Sequence, residues 1–222
     1  MQMICHVNSS RTGHDKLVRL LQYTCKLLVN WSNDASGLHH LESTLGSARK
    51  LLRFGTFFES LEAAGKALNH RDPVIRMSTA LSKLCNAVFL FTDHLIWLNS
   101  VRMVNLSRSK WSKISINAWF YSVLFSLVCD LYKLKSIVEE YSRNCRNISL
   151  PSLSFQGVLE AYDPLCGFLI SSQRPLLINL IKNCFDIVLP LSTLGYVKSS
   201  SLSGLCGIIS TSLSILPLLP AK

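Results

Sequence analysis

Three pairs of neighbouring polar residues in this 222-residue chain are of types that can do chemistry: Asp93-His94, His39-His40 and Glu139-Glu140. An Asp beside a His is used in catalytic dyads, two His can bind a metal, and two carboxylates can serve as acid and base. Neighbouring side chains on a helix point about 100° apart, so adjacency alone does not let them act together. We therefore expect a polar contact at Asp93-His94, either between packed helices or near the membrane interface. We expect an exposed helix start at His39-His40 and a solvated helix end at Glu139-Glu140.

Sequence signatures of catalytic and cofactor sites are absent. The chain contains no G-x-x-x-x-G-K-[ST], G-x-G-x-x-G, G-x-S-x-G or H-E-x-x-H. Its 8 cysteines are widely spaced without a C-x-x-C pair, and most lie in apolar runs, which favours reduced thiols over zinc ligands or disulfides. We expect a protein that is not an enzyme and that holds no cofactor or metal.

The composition points to a membrane. Charged residues make up 16% of the chain, against roughly 25% in a typical soluble domain. Hydrophobic residues make up 49%, and the mean hydropathy is +0.29. The 23 Lys and Arg against 13 Asp and Glu give a net charge of +10. This balance excludes a disordered chain, argues against a nucleic-acid partner and suits an anionic membrane. A large buried helical core is the alternative.

Several long apolar segments read as helices. Asp72-Pro73 is a favourable helix start, and the helix after it has a very apolar stretch near residues 84–98, interrupted by Asp93 and His94. The run Ile114–Cys129 has no charge for 16 residues, which is about 24 Å of helix and shorter than a typical bilayer core. It reads either as a marginal membrane span or as a buried helix.

The C-terminal segment is the clearest membrane span. Ser199–Ala221 contains no charged residue, and a span over about residues 201–219 is long enough for a transmembrane helix. Small residues let transmembrane helices approach closely. We predict that the small residues of this span lie at a helix contact: Gly204, Gly207 and Ser210.

These segments predict an all-α fold, a membrane-associated helical bundle with amphipathic N-terminal helices and a C-terminal transmembrane helix. Residues 1–143 hold amphipathic and long apolar helices, largely facing the cytosol, with a possible span near residues 84–98. Residues 144–174 form a linker, and residues 175–222 form a hairpin-like helical region that contains the terminal span.

The segment His39–Leu68 carries an amphipathic helix. Apolar residues spaced four, three and four apart lie on one face, and basic residues cluster beside them toward the C-terminal end. Such a helix can lie in the plane of the interface, with leucines among the acyl chains and cations on anionic lipid. It can equally pack into a helical bundle. The residues concerned are Leu41, Leu45, Ala48, Arg49, Lys50, Leu52 and Arg53.

The order of several short motifs along the chain resembles that of the peroxin-eleven family of peroxisomal membrane proteins, and most closely that of its animal alpha and beta members. The resemblance covers about residues 13–219, and it is carried by several short motifs in the same order. They are Gly13–Tyr23, Leu41–Gly55, Asp72–Arg76, Asp93–Trp97, Lys110–Ser112, Asp130–Tyr132, Asn183–Asp186, Pro190-Leu191, Leu194-Gly195 and Gly204–Gly207.

The resemblance implies an integral protein of the peroxisomal membrane that promotes peroxisome elongation, fission and proliferation. Members of the family are thought to oligomerise, to insert amphipathic helices into anionic lipid, and to recruit tail-anchored fission adaptors and a dynamin-related GTPase. By this resemblance the bending element would be the helix bearing Leu41 to Arg53. Both termini would be cytosolic, with a first span near Leu84–Leu98.

Two other functions fit the sequence. A channel for small metabolites would need Trp111–Tyr132 and Pro175–Val197 to cross the membrane as well. A tail-anchored helical adaptor would recruit partners without bending the membrane.

Overall fold

The computed structural model describes residues 10–29, 35–146, 167, 169 and 172–218. Every regular element among these residues is helical, and they contain no strand, so the predicted all-α fold is confirmed. In chain order the helices are α1 (Arg11–Leu28), α2 (Ala35–Leu52), α3 (Thr56–Ala67), α4 (Pro73–Ser100), α5 (Arg108–Arg146), α6 (Arg174–Asp186), α7 (Val188–Thr193) and α8 (Ser200–Ile215), followed by a 3-10 turn at Leu216–Leu218.

Polar side chains cap three of the helix starts. The Ser10 hydroxyl accepts from the Gly13 N–H at the start of α1, and the Ser199 hydroxyl accepts from the Leu202 N–H at the start of α8. Asp72 accepts from the backbone N–H groups of Val74 and Ile75 at 2.8 and 3.2 Å, directly before Pro73. These contacts satisfy backbone donors that a helix start leaves unpaired. The predicted helix start at Asp72-Pro73 is therefore present.

Proline and glycine separate α6, α7 and α8. Pro190 has no N–H, so it cannot make the helical hydrogen bond to the carbonyl of Asp186. α6 ends at Asp186. After α7, Gly195 has a φ of 89°, which suits a residue without Cβ. The Tyr196 and Gly195 N–H groups bond back to Leu191 and Ser192, as in a Schellman motif.

Successive long helices run in opposite directions. α4 and α5 pack along each other, α6 packs on α5, and α8 packs on α6. α3 packs on α4, and α2 lies between α1 and α4. The starts of α4 and α6 and the ends of α5 and α8 therefore share one end of the bundle, which we call the groove end because a groove opens there.

The helix bounds refine the prediction. α2 begins at Ala35, four residues before the expected start at His39, and the apolar stretch 84–98 is the second half of a 28-residue helix. The charge-free run Ile114–Cys129 lies within the 39-residue α5, so it belongs to a helix far longer than a bilayer requires. The predicted linker, residues 144–174, lies mostly outside the described residues and stays a prediction, as does the domain division built on it.

Candidate functional site: an apolar exterior around buried charges

Five of the eight buried residues of α4 are polar, and its exposed large side chains are apolar except for Lys83. Ser78, Ser82, Thr92, Asp93 and His94 are buried. The exposed residues include large apolar side chains, among them Val74, Met77, Leu84, Val88 and Phe91. A soluble helix shows the reverse distribution, because water favours polar side chains on the surface. The outer side of α4 is therefore suited to lipid.

The same distribution continues around the bundle. α5, α6 and α8 bury residues such as Ser122, Asp130, Asn183 and Ser210 and expose large apolar ones. The exposed residues are Ile114, Tyr121, Val128, Leu131, Ile181, Leu202, Leu205 and Ile209. Within the described part of the chain, four segments are long and apolar enough to cross a membrane by length and composition: Pro73–Ser100, Arg108–Arg143, Arg174–Thr193 and Ser200–Leu218. The last of them corresponds to the span predicted over about residues 201–219.

The carboxylate in the last third of α4 is neutralised by two cations, one on α2 and one directly after it. Asp93 pairs with Arg53 at 2.9 Å and with Lys50 at 3.2 Å. The backbone carbonyl of Arg53 lies 3.1 Å from Nε2 of His94. The polar contact between packed helices that was expected for Asp93-His94 is therefore made. An unpaired charge within an apolar helix would cost several kcal/mol in a membrane, and this pairing removes that objection to α4 as a span.

The remaining cation of this group, Arg49, contacts α1 instead of α4. Arg49 pairs with Asp15 at 3.1 Å and donates to Oε1 of Gln22 at 2.8 Å, both on α1. Burial, together with the neighbouring Arg53, lowers the pKa of Arg49 to about 10. Arg49 still carries its charge at neutral pH, and its ion pair holds α2 against α1.

The predicted lipid-binding residues of α2 thus fall on two sides. Leu41 and Ala48 are exposed, and Leu45 and Leu52 are half-buried at the edge. Arg49, Lys50 and Arg53 lie on the side that packs against α1 and α4. The structure contains no lipid, so lipid binding by this set stays a prediction. The surface of α2 that faces away from α1 and α4 is formed by its apolar residues.

That outward surface continues beyond α2. Large apolar residues stand exposed along the end of α2, the turn around Gly55 and α3. Phe58 is the most exposed of them, at 66%. We call this set the α2–α3 ridge: Leu41, Leu51, Phe54, Phe58, Leu61 and Leu68. Large apolar side chains exposed in this number on adjoining elements indicate a contact with a membrane or a partner.

A second buried charge network joins α1, α6 and α8. Arg19 pairs with Asp186 at 2.5 Å, and Lys182 lies 3.7 Å from the same carboxylate. The hydroxyl of Ser210 donates to Asp186 at 2.5 Å. Burial opposes the charge on Arg19, but the adjacent Asp186 outweighs it and raises the pKa of Arg19. This network was not predicted from the sequence. The signal for it was the presence of two charged residues, Lys182 and Asp186, one turn apart in an otherwise apolar helix.

The small residues of α8 lie against α1. A Cβ on Gly207 would lie 2.3 Å from the Tyr23 ring, and a Cβ on Gly204 would lie 3.2 Å from the Leu27 backbone. Further along, Ser210 accepts from Arg19, and the carbonyl of Ser214 accepts from Lys16. From Gly204 to Ser214 the contact partners on α1 run backwards, from Leu27 to Lys16. The helices α1 and α8 are therefore antiparallel.

The other candidate residues are at the surface. His39 and His40 are exposed on α2, and Glu139 forms an exposed pair with Lys135 at 3.6 Å. Within the ranges that the structure describes, no three His, Cys, Asp or Glu side chains are placed to hold a metal ion. Cys25, Cys85, Cys129, Cys184 and Cys206 are free thiols.

Comparison with known proteins identifies relatives along nearly the whole chain. The family model described as Peroxisomal biogenesis factor 11 (PEX11) matches residues 1–219. Peroxisomal membrane protein 11A of Homo sapiens is 29% identical, over 95% of this chain and 93% of the relative. Peroxisomal membrane protein 11B of Homo sapiens is 28% identical, over 93% and 92%. A homolog of peroxisomal membrane protein 11 from Dictyostelium discoideum is 23% identical, over 95% and 91%. No solved structure matches.

Proposed function

The chain belongs to the peroxisomal biogenesis factor 11 family, and from this premise we propose that it elongates the peroxisomal membrane and promotes its fission without catalysing a reaction. The observation that supports the proposal best is the α2–α3 ridge, whose exposed leucines and phenylalanines stand beside a bundle with an apolar exterior. Apolar side chains that enter one leaflet expand it relative to the other, and this favours curvature.

In this proposal the parts of α2 have different roles. The apolar residues of the ridge enter one leaflet of the bilayer next to the bundle. Arg49, Lys50 and Arg53 hold α2 on α1 and α4 through Asp15 and Asp93. A wedge that is fixed to a membrane-spanning bundle transmits its expansion to the bilayer at a defined place.

Division requires partners as well as curvature. We propose that copies of the chain self-associate in the elongated membrane and that the cytosolic surface recruits tail-anchored fission adaptors and a dynamin-related GTPase. Both termini then lie in the cytosol, in keeping with the 9 Lys and Arg among residues 1–72, before α4.

The ridge can be tested in cells that lack their own copies of this family. Leu51→Gln together with Phe58→Gln removes two exposed apolar side chains, each worth about 1.5–3 kcal/mol when fully buried. We expect peroxisomes to stay round, whereas the wild-type chain elongates them. Ser47→Gln is the matched control, because it places the same side chain at an exposed polar position of α2.

The length of peroxisomes by fluorescence microscopy, at equal protein levels in the peroxisomal membrane, is the measurement. Elongation by the double variant equal to that of the wild type would contradict the role of the ridge.

A channel for small metabolites is the second candidate. The observation that favours it is the set of four membrane-capable helices with polar residues on their inner sides. Many of these residues bond to one another, as Asn183 does to Asp130 and Ser82 to the carbonyl of Ser122, which suits a closed polar core. Solute flux through vesicles containing the full-length protein separates the two candidates.

A further inference from the structure

A groove of about 970 Å³ opens at the groove end of the bundle. Its walls come from the first half of α1, the starts of α4 and α6 and the ends of α5 and α8. The volume lies at the upper end of the roughly 300–1,000 Å³ of small-molecule sites and far exceeds the needs of an inorganic ion. The α2–α3 ridge is not part of it, so this groove goes beyond the proposed function.

The lining of the groove carries an excess of positive charge. Among the described residues of the lining, four cations and two carboxylates give a formal charge of +2. Outside the lining, Asp186 pairs with two of the cations, Arg19 and Lys182. The carboxylates have partners elsewhere, since Asp15 pairs with Arg49 and Asp130 accepts from Asn179 and Asn183. The cations are Lys16, Arg19, Lys133 and Lys182.

Lys16 donates to the carbonyl of Ser214 and Lys182 lies 3.7 Å from Asp186, but one donor of this group of cations has no acceptor in the described part of the chain. Nε of Arg19 is buried and has no hydrogen-bond partner among the described residues. Burial, and after it the nearby Lys182 and Arg19, lowers the pKa of Lys16, as expected where like charges crowd together. A buried guanidinium N–H without an acceptor costs free energy, and an anionic ligand would supply the acceptor.

The rest of the lining is apolar. It includes Ile75, Ile137, Leu176, Ile178, Leu213 and Pro217. These residues lie on α4, α5, α6 and α8 or directly after α8, the segments that are long and apolar enough to cross a membrane. The groove lies beside the starts of α4 and α6, the end of α8 and the part of α5 directly after its charge-free run. This is the level of the headgroups when these helices cross a bilayer.

From the lysines, the unpaired Arg19 N–H and the apolar walls, we propose that the groove binds one negatively charged phospholipid. The phosphate contacts Lys16, Lys133 and Lys182, and one acyl chain follows the apolar wall. A soluble anion would use the cations and leave the apolar wall bare, so the mixed lining favours a lipid.

The test uses the full-length protein in detergent and counts bound lipids by native mass spectrometry. Phosphatidylglycerol should remain bound as one molecule per chain, and phosphatidylcholine with the same acyl chains should be lost. Lys133→Ala should lower the bound fraction of phosphatidylglycerol about fivefold. Lys135→Ala is the matched control, because Lys135 lies on the same helix, outside the groove, and is exposed.

A steric variant tests the site without changing its charge. Ser136 lines the groove on α5, and Ser136→Trp should displace the lipid while the helical content by circular dichroism stays that of the wild type. Equal retention of the two lipids, or equal losses in Lys133→Ala and Lys135→Ala, would overturn the proposal. Displacement of the lipid by an excess of glycerol 3-phosphate would also overturn it, since the site would then recognise a soluble anion.

Discussion

Asp93 is the residue on which the membrane interpretation of α4 depends. The sequence shows an acidic residue within an apolar stretch, and from this its cost in a membrane follows directly. Its partners do not follow, because Lys50 and Arg53 lie 40 residues or more away and reach it only through the packing of α2. Periodicity identifies the faces of α2, but it does not determine which face packs against another helix.

Removal of the carboxylate should destabilise the bundle. Asp93→Asn leaves Arg53 and Lys50 on the inner side of α2 without their counter-charge, and loss of one partner of a buried pair costs about 3 kcal/mol. We expect a clear fall in the thermal unfolding temperature of the full-length protein in detergent. Lys50→Gln should have a smaller effect, because Arg53 still pairs with Asp93.

The matched control is Lys66→Gln, which breaks the exposed pair with Glu62 on α3. Exposed pairs add little stability, so its unfolding temperature should equal that of the wild type. If Asp93→Asn unfolded at the temperature of this control, the pairing of α2 with α4 would have no energetic role.

At the scale of elements, the pairing of α1 with α8 shows what a small-residue pattern can predict. Gly204, Gly207 and Ser210 were expected to lie at a helix contact, and in this structure they lie against Leu27, Tyr23 and Arg19 of the same chain. The spacing of small residues indicates a close approach but carries no information about the other helix. The proposed self-association must therefore use other surfaces as long as α1 occupies this side of α8.

Gly207→Ala should separate these two helices. The new methyl group would lie 2.3 Å from the Tyr23 ring, so α1 must shift away from α8. Overpacking of this kind costs about 1–3 kcal/mol. We expect a lower unfolding temperature and faster modification of Cys25, which is buried on α1, by a water-soluble thiol reagent.

Gly65→Ala is the control for this variant, because no atom lies within 4 Å of a Cβ at that helical position. It should leave both measurements unchanged or raise the unfolding temperature slightly, since Ala favours a helix over Gly. Equal behaviour of the two variants would show that α1 does not pack on α8 in solution.

At the scale of the whole molecule, the composition predicted the membrane but not the number of long apolar helices. Hydropathy alone left α4, the middle of α5 and α6 uncertain, because Asp93, Asp130, Lys182 and Asp186 interrupt their apolar runs. In the structure Asp93, Lys182 and Asp186 form ion pairs inside the bundle, and Asp130 accepts a hydrogen bond from Asn183. Partners that are distant in sequence cannot be found from local patterns, which is why the all-α fold was predictable and the inner networks were not.

The central claim is that α4, α5, α6 with α7, and α8 cross the membrane with their polar sides inward. Four crossings place both termini on one side and the connection between α4 and α5, residues 101–107, on the other. A single C-terminal span instead places residues 101–107 on the same side of the membrane as the N-terminus, and the C-terminus on the other side. Two spans, α4 and α8 alone, place residues 101–107 and the end of α5 together, opposite both termini.

Protease digestion of intact peroxisomes that carry an epitope tag at either terminus, within residues 101–107 or after Arg146 distinguishes these arrangements. We expect the terminal tags and the tag after Arg146 to be digested, and the tag within residues 101–107 to be protected until the membrane is permeabilised. Digestion of the tag within residues 101–107, or protection of the tag after Arg146, in intact peroxisomes would contradict the claim.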